Sequence, residues 1–129
     1  MSLYRDTRWN DTVTVYHRVK TTDTNGKTVT NWTPETVEGV FYGHSKRQVV
    51  NGTVLVEQDR HICRIPGDKL SNLERGDIIC RGPVEIEIPE NSSPEKYLTT
   101  VEHFTAAVVS DDRPMRKTSH WYAAEAQWQ

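Results

Sequence analysis

The chain has 129 residues and sixteen basic against eighteen acidic side chains, for a net charge of -2 at neutral pH. That length supports one domain, 1–129, with a core that needs no covalent or metal staple, and the charge balance excludes binding to nucleic acid or anionic lipid through overall charge alone. A hydrophobic content of 35% and a mean hydropathy of -0.72 are lean for a self-contained globule, which predicts a large exposed face or a protomer completed by neighbours.

No run approaches the roughly 18 apolar residues of a membrane span, and Met1-Ser2-Leu3-Tyr4-Arg5-Asp6 lacks the apolar core of a signal peptide. The expectation is a soluble chain made in the cytoplasm, in which the sequons at Asn10, Asn31, Asn51 and Asn91 are turn residues. Cys63 and Cys80 each lie in an apolar strand pattern and are expected as buried thiols; a disulfide would require their strands to pair in register.

Residues 12–20 alternate, with Val13, Val15 and Val19 on one face and Tyr16 on the other, and Asn25-Gly26 is a strong hairpin signal. The return strand is predicted over 27–32, broken by Pro34 and followed by a strand over 36–44. Residues 46–50 lead out to a second hairpin at Asn51-Gly52, and 53–65 return from it. The tip of this projecting hairpin, around 44–60, is apolar for a loop left in water, and Gln48, Val49, Val50, Val54, Leu55 and Val56 are its candidate partner contacts.

Arg64-Ile65-Pro66 ends a strand, because proline cannot donate to a ladder; Gly76-Asp77 launches the next, over 77–81, and Gly82-Pro83 closes it. Val84, Ile86 and Ile88 alternate with Glu85 and Glu87, which predicts a strand with its carboxylates outward. Ser93 followed by Pro94 and Glu95 predicts a short helix over 93–99. Strands are expected over 102–110 and 118–126, joined by a turn at Asp111-Asp112-Arg113-Pro114. Eight or nine strands at this spacing predict an all-β fold, a small antiparallel β barrel or sandwich.

Candidates for chemistry are sparse. His17, His44, His61, His103 and His120 stand singly, without a metal-ligand spacing, and Asp111-Asp112 lacks a complementary acidic pair. Glu85 and Glu87 could flank a glycosidic bond, but strand alternation already accounts for them as a solvated face. With no nucleophile elbow, phosphate loop or dinucleotide fingerprint, the expectation is a non-enzyme with no catalytic, metal or cofactor site. Trp9, Trp32, Trp121 and Trp128, with Lys46-Arg47 and the basic run 113–117, leave open a small barrel that stacks single-stranded nucleic acid. Against this, the aromatics do not interleave with the basic residues, and Arg60, Arg64 and Arg81 alternate with core positions as partnered or interface charges would.

Several segments together carry a family resemblance: Tyr16-His17-Arg18, Asn31-Trp32, Val40-Phe41-Tyr42, the protruding hairpin, Arg64-Ile65-Pro66, 73–82, 108–113 and His120-Trp121. Over roughly residues 10–126 the chain resembles minor capsid or head-tail connector proteins of tailed bacteriophages and prophages of Gram-positive hosts. The resemblance implies a head-closure (stopper) subunit in the virion, in a ring of about twelve copies between portal and tail proteins, through or against which packaged double-stranded DNA lies. Tail terminator and capsid decoration protein are the neighbouring roles. The C-terminal tail, 123–129, with Trp128, would suit docking on such a partner.

Overall fold

A computed structural model describes residues 10–111 and 120–125, and for Ser45, Arg47 and Val49 the backbone alone. The described strands are β1 (Asp11–Thr22), β2 (Thr28–Asn51), β3 (Val54–Pro66), β4 (Ile78–Arg81), β5 (His103–Thr105), β6 (Val108–Asp111) and β7 (His120–Ala124). They form one antiparallel sheet in the order β5-β4-β1-β2-β3-β7-β6. The fold is all-β, with a single 3-10 turn at Pro94–Lys96 among the described residues.

β2 is the spine of the molecule. Its first part pairs with β1 from Thr28 to Val40, and from Phe41 onward it pairs with β3. The handover occurs at a bulge, where Asp11 faces Val40 and Thr12 faces Glu38, leaving Gly39 over at φ 72. A left-handed residue at a bulge is a natural glycine position. The three strands expected over 27–32, 36–44 and 46–50 are therefore one. Pro34 does not break it, because among the described residues this part of β2 has a partner, β1, on one side only, and a missing N–H is tolerated at an edge.

The expected all-β, antiparallel fold is present; among the described residues the sheet does not close, since its ends, β5 and β6, are not paired with each other. The two are instead consecutive in the chain. At their junction the Ala106 N–H donates to the Asp77 carbonyl at 2.8 Å, and the Ala107 N–H donates to the Ala124 carbonyl at 3.0 Å. The expected strand over 102–110 thus splits because its first half faces β4 and its second half faces β7.

Two cores result. Val13, Val15, Val37, Val40, Cys63, Ile65, Ile79 and Trp121 fill the space inside the curved sheet. Tyr16, Ile78, Cys80, Val84, Ile88 and Leu98 form a second cluster on the other face of β1 and β4. Its cover is residues 83–98, an extended strap, so the strand expected over 84–88 is absent. The alternation was legible but its partner was not: Val84 and Ile88 are buried and Glu85 and Glu87 exposed, with side chains rather than a neighbouring ladder fastening the strap. Thr14 Oγ1 donates to the Gly82 carbonyl at 3.0 Å and accepts from the Val84 N–H at 2.9 Å. The Tyr16 hydroxyl donates to the Ile86 carbonyl. The Asn91 N–H donates to the Thr30 carbonyl, and Asn91 Oδ1 accepts from the Thr30 N–H. The helix expected over 93–99 shrinks to the 3-10 turn; Pro94 opens it, but the Ser93 side chain makes no cap bond.

Candidate functional site

Beyond the last body pair, Gly43 with Ile62, β2 and β3 continue as a two-stranded arm from His44–His61 to Asn51–Val54. The turn is Gly52-Thr53, with Gly52 at φ 69, which suits glycine at the first position of a two-residue hairpin turn. Among the described residues neither arm strand has a second strand neighbour: β1 pairs with β2 only as far as Val40, and β7 pairs with β3 only from Ile62. Val50, Val54 and Leu55 are 71%, 60% and 66% exposed, with Val56 at 38%. Register puts Val50 and Leu55 on one face and Val54 and Val56 on the other, so both faces of the tip are apolar. Gln48 is exposed and pairs with Glu57, while Val49 stands in register with Val56. Five of the expected contact residues, Gln48, Val50, Val54, Leu55 and Val56, thus occupy the exposed tip. Trp128, Trp9 and the run 113–117 lie outside the described residues.

At the other end of β2, the strap and residues 31–34 flank an open groove of about 740 Å³. Trp32 and Ile86 line it, and Glu85, Glu87 and Glu90 stand on the strap side. The Trp32 indole Nε1 is buried there without an acceptor among the described residues.

Between these ends lies a polar cluster that single-residue inspection of the sequence missed. His17 Nε2 is 2.9 Å from Glu35 Oε1, and His17 Nδ1 is 3.3 Å from Asp77 Oδ2. Asp77, only 2% exposed, also accepts from the backbone N–H groups of Arg18 and Glu74, each at 3.0 Å. The bond to Asp77 raises the His17 pKa; burial opposes this, and Glu35 adds to the rise. Burial works against ionisation of Asp77, yet the bonds from His17, Arg18 and Glu74 outweigh it and hold its carboxyl below the ordinary range. With a carboxylate facing each ring nitrogen, His17 has no free nitrogen to act as a base, and the cluster locks the turn before β4 against β1. Gly76 belongs to this lock: at φ +96 it lies where a Cβ would collide with the Arg18 guanidinium. The readable signal was Gly76-Asp77 before an apolar strand, since a carboxylate at such a buried entry needs several donors.

The remaining titratable groups are dispersed. The His61 ring lies tilted beside that of His44, at 4.2 Å between centroids, and its Nδ1 lies 3.0 Å from Glu125 Oε1. His103 Nε2 lies 3.1 Å from Glu95 Oε2. Arg64 sits between the rings of Phe41 and Tyr122, and Arg81 faces Glu102 at 3.4 Å. Cys63 and Cys80 are free thiols in different cores, on strands separated by others in the sheet. Among the described residues no three His, Cys, Asp or Glu side chains converge as a metal site.

The profile of a family of unknown function, DUF6751, matches residues 7–124. The chain belongs to this family. The match takes in every described strand, the arm and the strap, and ends before Trp128. No curated protein and no solved structure matches the chain.

Proposed function

We propose that the chain is a structural subunit of the head-tail junction of a tailed bacteriophage or prophage, a head-closure protein that forms a ring between portal and tail and helps retain packaged DNA. The observation that carries the reading is the arm: a two-stranded extension with an apolar tip and two edges unpaired among the described residues, which costs solubility in a free monomer and is useful in an assembly. Such an edge can add to a neighbour's strands through main-chain bonds while its side chains fill pockets. The resemblance carried by 73–82 and by His120-Trp121 supplies the place of that assembly, the head-tail interface, with portal and tail proteins as partners. In this reading the chain acts without catalysis, and the His17–Asp77 lock serves to hold the body rigid beside the ring contact.

The test is to mix the purified protein with the portal protein encoded nearest its gene and image the mixture by negative stain, measuring single-stranded DNA binding in parallel at physiological salt. Ring density on the tail-facing end of the portal is the expected result. A chain that ignores the portal and binds single-stranded DNA overturns the reading in favour of a nucleic-acid module.

A further inference from the structure

The arm and the strap groove sit at opposite ends of one strand. Pro34 lines the groove and His44 begins the arm, and the strand between them spans on the order of 30 Å of backbone path. One copy therefore cannot readily fold its own arm back into its own groove, whereas a neighbouring copy can present an arm to it.

The two surfaces are complementary in three respects. In charge, the outgoing strand of the arm carries Lys46 and Arg47, with Glu57 and Asp59 on the return strand and no carboxylate in the tip, 48–56, while the groove carries Glu85, Glu87 and Glu90 and no cation. Lys46 has a competing contact, with Glu57 at 3.9 Å, but both side chains are mostly exposed and solvent weakens that pair. In apolar surface, the exposed valines and leucine of the tip face a groove floored by Trp32 and Ile86, of a size that admits a few aliphatic side chains but not a domain. In hydrogen bonding, the backbone N–H groups of Glu85, Ile86, Glu87 and Ile88 have no protein partner among the described residues, nor has the Trp32 indole N–H. An added strand edge offers carbonyl acceptors to alternate donors along the strap, because successive N–H groups of an extended segment point to opposite sides.

We propose that the arm tip of one copy seats in the strap groove of the next copy. The contact rests on the assembly role proposed above and specifies its partner and its geometry. It is heterologous, arm to groove, so an open chain of copies keeps one free arm at one end and one free groove at the other until a ring closes. The carboxylates on the strap select the basic base of the arm tip, and the apolar side chains supply the burial.

The test uses the full chain and three variants: a charge-reversed arm (Lys46→Glu with Arg47→Glu), a charge-reversed groove (Glu85→Lys with Glu87→Lys), and both changes in one chain. Because the altered groove and Lys46 side chains are exposed, unchanged thermal melting is expected and verifies folding. Self-association, measured by light scattering and sedimentation, should weaken at least about tenfold in either single-surface variant and recover in the combined one. An equimolar mixture of arm variant and groove variant should likewise recover assembly, with the two alternating, since the intact arm of one meets the intact groove of the other and the reversed arm meets the reversed groove. Two outcomes overturn the proposal separately from the assembly reading: a groove variant that assembles as the wild type does, or a combined variant with no recovery, in each case while Val50→Lys with Leu55→Lys abolishes assembly. A wild-type chain that stays a single copy both alone and with its portal overturns both.

Discussion

The two ends of β2 are held by opposite means. From Thr28 to Val40 the strand is backed by β1, bridged to Asp77 through Glu35 and His17, and overlaid by a strap fixed at Thr14, Tyr16 and Asn91. From His44 to Asn51 it has one partner strand, no further ladder among the described residues and an apolar tip in solvent. Stability is thus concentrated at one end and the capacity for contact at the other. At the arm tip Val50, Val54 and Leu55 stand mostly in solvent, whereas the side chains around Asp77 and Thr14 are almost wholly committed to the core.

The largest break in that comparison comes from Asp77→Ala, which strips a buried carboxylate from His17 and two backbone donors. It should cost about 3–5 kcal/mol of stability in chemical denaturation, and a loss below 1 kcal/mol would mean the lock does not hold the body. Thr14→Val keeps the shape but leaves the Val84 N–H and the Gly82 carbonyl unpaired under the strap. About 1–3 kcal/mol should be lost, with hydrogen exchange rising first along 83–91.

Protonation probes the same lock. His17 is raised above its ordinary value of 6.5, so its contribution is full below that value and is lost as pH rises through the folded pKa. Asp77 is lowered, so its contribution is full above its ordinary 3.8 and is lost as pH falls through the folded pKa. Their joint contribution should therefore be greatest between those two ordinary values and decline on either side. In His17→Gln the decline on the alkaline side should flatten, as followed by melting temperature against pH; an unchanged slope would assign it to other groups.

Smallest for the body is Val50→Lys with Leu55→Lys. Both positions are exposed, so unfolding free energy should stay within about 0.5 kcal/mol of the wild type, while assembly on the portal is lost. A large loss of stability here would erase the distinction between the two ends.

Sequence patterns read local geometry well and long-range partnership poorly. Asn25-Gly26, Gly52, Pro66 and Gly82 act where their backbone preferences say they should, at turns and strand ends. The inward and outward faces of 84–88 were equally legible, since alternation reports burial, but it does not report whether the neighbour is a ladder or a set of side chains. Pro34 misled because its cost depends on which side of the strand is occupied, a property of sheet order. The arm was visible because its apolar residues crowd a turn. His17, Glu35 and Asp77 were not, because they are brought together by the β1–β2 register and the turn before β4, each unremarked in its own segment.

The unbroken run of β2 from body to arm has a mechanical consequence. Tension drawn along the arm through β2 acts parallel to the twelve β1–β2 residue pairs, so their hydrogen bonds are sheared together instead of being peeled one after another. The chain is consequently strongest against a pull along its own spine and weakest against a sideways tug at the turn of Gly52 and Thr53, where the pairs of the arm open in sequence from the tip.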